Sequence, residues 1–308
     1  MKYALLLAMA ASVFIGGEAL AKKAKAPAPT TPAGFIDVDN NGVWSNGDLP
    51  LEDFTGKGAY GFNAYQAQPG YKPSGRPVGL VVQRPFSFSN ETNLFILSGN
   101  VRIDANITAT KRDTYVSFAT LGGDITIAPK VVVAGNGDVV FQTYERGDVL
   151  VGDNTKFSTK GEFSSVILNA DGALVVGKAA AFSLAGGYNS ISLRAAEAMS
   201  IAPGLTMKGP NHAYFDILCD CDLTLTDANV KSGYIHLESY ATTRSPAAKK
   251  IYVARTTLNQ TYPNGDFRIV TTPGIVRPAF APDAIRLDKV KISTRATLPM
   301  ILPDPLVR

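Results

Sequence analysis

From Phe86 onward, short runs of Val, Ile, Leu, Phe and Thr alternate with Gly, Asp and Asn, and no helical stripe of useful length interrupts them. Apolar pairs at i, i+2 recur: Val101/Ile103, Ile125/Ile127, Val149/Val151, Leu174/Val176, Met199/Ile201, Leu223/Leu225 and Ile251/Val253. That spacing points both side chains of a pair to one face of a strand. The second members lie 24, 24, 25, 25, 24 and 28 residues apart, a period that marks stacked repeats. Other apolar positions keep step. Val133, Phe157, Phe182 and Met207 follow the second anchor by six residues, with Val230 one residue early. Phe118, Phe141, Leu168, Leu193 and Ile217 precede it by eight to ten. Three apolar segments per repeat, separated by Gly, Asp or Asn corners, predict an all-β chain. The fold class is a right-handed parallel β-helix (solenoid) with rungs of about 24–25 residues. Each rung alone exposes its inner side, and stacking at about 4.8 Å hides it.

The polar positions refine this picture. Asn100, Asp124, Asp148 and Asp222 stand just before the first anchor of their rungs, and Ala173 and Ala198 interrupt the column. The interruption favours corner chemistry over a cation ladder, because Asn and Asp side chains accept bonds from backbone N–H groups and tolerate tight turns. The 28-residue repeat holds an insertion, Ser239–Pro246, expected to leave the rod as a loop. Excursions of this kind are where solenoids place binding residues, and Tyr240 and Arg244 are its candidate ligand-binding residues. Thr257–Gly265 is a second candidate loop. Beyond Pro273, repeated prolines weaken strand propagation, but Ile285/Leu287 and Val290/Ile292 still alternate. A final covering layer that protects the last rung from edge pairing is expected there.

The expected organisation is a signal peptide at 1–21, a Pro/Lys-rich linker at 22–33 and a loop-rich segment at 34–85. The β-helix follows at 86–272, and a cap or tail at 273–308. Lys2, the apolar run Ala4–Ile15 and the small-x-small Ala19-Leu20-Ala21 fit an export signal. The run is too short for a transmembrane helix, and no later stretch is long and uncharged enough for one. The chain is therefore expected to be exported, to the periplasm, cell surface or extracellular space. A net charge of +4 without a dense basic strip argues against nucleic-acid partners. Two cysteines, Cys219 and Cys221, exclude a disulfide scaffold. On an extended strand they share a face but stand too far apart to bond, so either the backbone turns there or both remain thiols.

The sharpest local motif is Asp37-Val38-Asp39-Asn40-Asn41-Gly42-Val43-Trp44-Ser45-Asn46-Gly47-Asp48. Oxygen donors fall at positions 1, 3, 5, 9 and 12 (Asp37, Asp39, Asn41, Ser45, Asp48). Val43 offers its carbonyl at position 7, and Gly42 stands where the loop must turn. These twelve residues resemble a single calcium loop of the EF-hand or dockerin type, and Ca²⁺ is the cofactor this implies. Asp48 replaces the usual Glu, and Pro50 permits at most the start of a short helix afterwards. With only one such loop, cohesin binding is not implied. The expected role is structural, pinning the linker to the rod.

Other candidates carry less. His212 and His236, each eleven residues past an anchor, are expected to stack on neighbouring rungs. A Cys₂His₂ zinc site with Cys219 and Cys221 is disfavoured because the cysteines occupy a different part of the rung. Asp138 and Glu162, and separately Asp220 and Asp222, are acidic pairs of the kind glycosidases and lyases use. Neither stands in a recognisable catalytic motif, and no Ser-His-Asp, phosphate-loop or HExxH pattern occurs. No catalytic residue is assigned. Segments such as Gly123-Asp124-Ile125-Thr126-Ile127-Ala128 and Cys221-Asp222-Leu223-Thr224-Leu225-Thr226 resemble the repeats of secreted adhesin-type β-helices, filamentous haemagglutinin-like proteins among them. That resemblance implies a non-enzymatic structural or adhesive surface component, with polysaccharide or other cell-surface material as partner. The alternative is a polysaccharide-active enzyme, a lyase or glycoside hydrolase, with its site beside the Ser239–Pro246 loop.

Overall fold

The repeat seen in the sequence is the repeat of the structure, a computed structural model. It describes residues 31–54, 78–89, 92–97, 99–112, 114–276, 280, 283–296 and 300–303. The expected signal peptide and most of the linker lie outside the described residues. From Pro32 the chain forms one unit.

Each repeat lays down three short strands, one on each of three faces. The anchor pairs build the first face in parallel register. Leu80, Val101, Ile125, Val149, Leu174 and Met199 stack in one row, and Val82, Ile103, Ile127, Val151, Val176 and Ile201 in the next. Leu223/Leu225, Ile251/Val253 and Ile285/Leu287 continue as a separate three-stranded parallel sheet. Among the described residues the second face has nine strands, with Ile107, Val133, Phe157, Phe182, Met207, Val230, Leu258 and Ile292 in one row. The third face also has nine. Its inward row is Leu94, Phe118, Phe141, Leu168, Leu193, Ile217, Leu237, Ile269 and Ile301.

The stack thus begins at Gly79 and runs to Pro303. Its first and last layers stand off the 24-residue period: Leu80 comes 21 residues before Val101, and Ile285 comes 34 after Ile251. Corner insertions change the period without disturbing the inward alternation that hydrophobic burial rewards. The interior is continuous. Phe118 and Phe141 stack at 5.3 Å, Phe141 meets Phe157 edge-on at 6.3 Å, and Phe157 stacks on Phe182 at 4.8 Å, all fully buried.

The corner column behaves as corner chemistry. Each carboxylate or amide oxygen accepts the backbone N–H of the following rung: Asn100 from Asp124 (2.9 Å), Asp124 from Asp148 (2.9 Å), Asp148 from Ala173 (2.7 Å) and Asp222 from Lys250 (2.9 Å). These bonds satisfy N–H groups that point along the rod where strands end. Rungs approach closely here, and a Cβ on Gly123 would overlap the Gly99 carbonyl oxygen.

An antiparallel hairpin closes the N-terminal end. Gly34–Asp37 pairs with Gly79–Val82 on one side and with Leu49–Pro50 on the other, and a 3-10 turn, Leu51–Phe54, follows. Reversed strand direction ends parallel growth, which protects the edge. The acidic loop connects the two strands of this hairpin. Among the described residues, no helix is long and apolar enough to cross a membrane.

Candidate functional site

On the third face, alternation sends every second side chain outward, and the parallel register lines these up along the rod. Gln142, Asn169, Arg194 and Leu218 form one outward row. Beside it, three residues beyond the inward row, stand Tyr144, Asp171, Ala196, Asp220 and Tyr240. Together with Thr143, Ala170 and Ala195, these nine residues line an open cavity of about 390 Å³. The small Ala196 between Asp171 and Asp220 leaves the floor low.

The Ser239–Pro246 insertion borders this cavity. Its base is fixed by the Tyr240 N–H donating to the Cys219 carbonyl (2.7 Å) and the Ala241 N–H donating to Thr272 Oγ1 (2.7 Å). Its turn closes on reciprocal Thr242–Ser245 backbone bonds at 3.1 Å. Arg244 then reaches back three rungs, about 14 Å of rise, and its Nη1 meets Asp171 Oδ1 at 2.8 Å. Lys249 is 5% exposed and its Nζ donates to Ser245 Oγ. Tyr240 and Arg244, the residues expected to bind ligand, therefore stand at one cleft with two acids.

The two acids are held differently. Asp171 accepts the Arg146 backbone N–H, and with the Arg244 guanidinium this keeps its carboxyl below the usual carboxylate range. Burial raises Asp220, against the pull of Lys249 and Arg244. Burial likewise lowers Lys249, opposed by Asp222 and Asp220.

The acidic loop folds on its own carboxylates. Asp37, only 2% exposed, accepts the N–H groups of Asn41 (3.0 Å) and Gly42 (2.6 Å), and Asp48 accepts those of Val38 (2.8 Å) and Ser45 (2.6 Å). Asp37, Asp39 and Asp48 offer oxygens within 4.8 Å of one another. Asn41 Oδ1 accepts the Val43 N–H at 2.7 Å, and Ser45 Oγ donates to Asp39 at 3.2 Å. Three of the six expected ligands are thus gathered, while Asn41 and Ser45 are engaged within the loop. Burial, then the neighbouring Asp39 and Asp48, push the Asp37 carboxyl up. A hard divalent cation fits this donor set and would relieve that crowding. Arg102 ties the loop to the rod, donating to the Gly42 carbonyl at 3.0 Å and pairing with Asp104 at 2.7 Å.

The remaining candidates separate. Cys219 and Cys221 form a disulfide across a bend at residues 220–221, with Cα atoms 5.0 Å apart. The backbone turns, and both sulfurs are consumed, which removes the zinc arrangement. The histidines do not stack on each other: His236 stands opposite Asp216 in register and pairs with it at 3.0 Å, whereas His212 stacks on Tyr188. Asp138 accepts the Ser165 N–H (2.6 Å) and Glu162 pairs with Arg112 (3.7 Å), so these two acids serve separate corners. Asp222 is likewise a corner residue, so of this pair only Asp220 lines the cleft.

Sequence reasoning missed Asp171, Arg194 and Lys249. The signal was present, because Asp171 and Asp220 each stand three residues past an inward third-face residue, Leu168 and Ile217. It also missed Phe163 and Tyr188, which each stand three residues before an inward third-face residue, Val166 and Ile191.

No family model matches the chain, and neither the curated proteins nor the solved structures contain a match.

Proposed function

We propose that the protein is an exported, non-catalytic β-solenoid that binds a polysaccharide along its third face, as a structural or adhesive component of the cell surface. The observation that carries this reading is the cleft. Amide and guanidinium donors on Gln142, Asn169 and Arg194 rise rung by rung beside Tyr144 and Tyr240, with Arg244 at the rim. A regular polymer meets a regular array of donors and aromatic rings there, the lining that saccharide-sized ligands require. The N-terminal pattern supports export, and a disulfide at Cys219–Cys221 suits an oxidising compartment. Ca²⁺ held by Asp37, Asp39 and Asp48 supplies the structural part of the reading, stiffening the hairpin that closes the rod.

The test is a titration of the exported form with a panel of cell-surface polysaccharides. Tyr240→Ala and Arg244→Ala are each expected to weaken binding at least tenfold. Unchanged binding in both variants contradicts the assignment. For the metal, Asp37→Ala with Asp39→Ala is expected to abolish calcium-dependent protection of the N-terminal hairpin from protease. Protection that is equal with and without chelator removes calcium from the account.

One observation favours a second reading, a glycoside hydrolase. Asp171 and Asp220 share the cleft two rungs apart, about 10 Å of rise, with their carboxyls pushed in opposite directions. Divergent acids near that separation suit an inverting acid and base. The binding reading is preferred because Asp171 is already engaged by Arg244. Shortened or unsaturated products during the titration would reverse the preference.

A further inference from the structure

The opposite edge of the third face carries a column of aromatic rings that the cleft does not use. Phe163 stacks on Tyr188 at 5.2 Å, Tyr188 on His212 at 4.9 Å, and His212 meets Tyr262 at 4.4 Å. Phe163 and Tyr188 are corner residues with φ of 56° and 55°. Left-handed positions recur at the corners of this rod, filled by Lys130, Asn154, Ala179 and others. Among the described residues, only these two put an aromatic ring there. Such a conformation is costly for a bulky residue, and burial does not repay it, since Phe163 is 71% and Tyr188 53% exposed.

Phe163 ends the stack. Tyr188 covers one face of its ring, and so high an exposure leaves the other face open. The preceding position in the same column is Asn136, three residues before the third-face strand position Val139, just as Phe163 precedes Val166. Asn136 lies in a cavity of about 300 Å³ with Arg112, Lys160, Gly161 and Glu162. The stack of rings therefore stops one residue from a space lined by two cations, one carboxylate and one amide, with Glu162, the chain neighbour of Phe163, in its lining.

We infer that this corner is a subsite for an acidic saccharide, in which a uronate ring continues the aromatic stack on Phe163. The apolar C–H face of a pyranose is a flat partner for an aromatic face, and the rung spacing of about 4.8 Å leaves a ring's thickness for it. Arg112 and Lys160 supply the charge that a sugar carboxylate requires. Glu162 already pairs with Arg112 at 3.7 Å, so the corner keeps the charge of Lys160, which a neutral sugar would not neutralise. The inference rests on the preceding subsection only for the class of ligand. The two sites lie at opposite ends of the third-face strands, so each can fail alone.

The experiment is calorimetric titration of the full exported chain with trigalacturonate and with cellotriose, oligomers short enough to occupy one edge. Phe163→Gly removes the ring and suits the left-handed backbone, so its thermal midpoint is expected to stay at or above that of the parent. Its affinity for trigalacturonate is expected to fall at least tenfold, as is that of Lys160→Gln, while Lys178→Gln, which changes an exposed cation on another corner, binds like the parent. Cellotriose is expected to bind at least tenfold more weakly than trigalacturonate. Equal affinity in Phe163→Gly and parent, equal binding of the neutral trimer, or no binding by the parent each overturn the subsite. Loss in Arg244→Ala but not in Phe163→Gly also overturns it and leaves the cleft standing.

Discussion

Replacing Asp148 tests whether the corner column is hydrogen-bond chemistry or a cation ladder. Its Oδ1 accepts the Ala173 N–H at 2.7 Å, and its own N–H donates to Asp124 Oδ1 at 2.9 Å. Asp148→Ala leaves the Ala173 N–H without that acceptor at a half-buried position, a loss of about 1–2 kcal/mol. Asp148→Asn keeps an acceptor oxygen in the same place. Both variants also remove a like charge about 4.8 Å from Asp124, worth about 1 kcal/mol at solvent dielectric. The repulsion cancels in the comparison, so Asn should exceed Ala by about 1–2 kcal/mol, or about 2–8 °C in thermal midpoint for a chain of this size. Circular dichroism melts measure the gap, and amide hydrogen exchange locates it, since Ala173 should lose protection in the alanine variant alone. Equal midpoints for the two variants would refute the hydrogen-bond account. A midpoint that rises with added Ca²⁺ in the parent and in neither variant would instead establish a cation ladder.

Two other substitutions probe the interior and the cleft. Phe141→Ala removes a fully buried ring packed on Phe118 and Phe157, and urea unfolding should show a loss of about 3–5 kcal/mol; a loss below about 1 kcal/mol would mean the aromatic interior is not packed as described. Asp171 has a lowered pKa, so its contribution to holding the Ser239–Pro246 loop is complete above the unfolded value of about 3.9. That contribution is lost as pH falls through the lowered folded value. Hydrogen exchange of residues 240–248, corrected for intrinsic rates, should show a loop looser below pH about 3 than at pH 6. Asp171→Asn should be loose already at pH 6, and equal protection of parent and variant there contradicts the anchor.

How much of this could be read from the chain depends on what each residue answers to. Ile127, Val151 and Val176 answer to a buried, one-sided environment that repeats every rung, so their stacking was legible. The first layer at Leu80/Val82 was not, because its corner is short and its neighbours are rich in Gly and Pro. Asn100, Asp124 and Asp148 were legible as corners, since an Asx side chain and a tight turn are local chemistry. The cleft was only half legible. Tyr240 and Arg244 announced themselves by lying in an insertion, but Asp171 belongs to an ordinary corner. It gains its role only when Arg244 folds back across three rungs. A contact spanning 73 residues leaves no periodic trace. The disulfide was undecidable from spacing, because a bend at Asp220 rather than residue type brings Cys219 to Cys221.

The most direct test of rung-on-rung stacking is a cross-link between adjacent second-face strands. Ser158 and Ser183 are paired in parallel register and both point outward, so their Cα atoms lie about 4.8 Å apart, within disulfide range. Ser158→Cys with Ser183→Cys should oxidise to a disulfide, read by peptide mapping under non-reducing conditions. Ser158→Cys with Ala181→Cys, two residues out of register and about 8 Å apart, should not. Failure of the first pair to form, or equal yield from both, would contradict the solenoid.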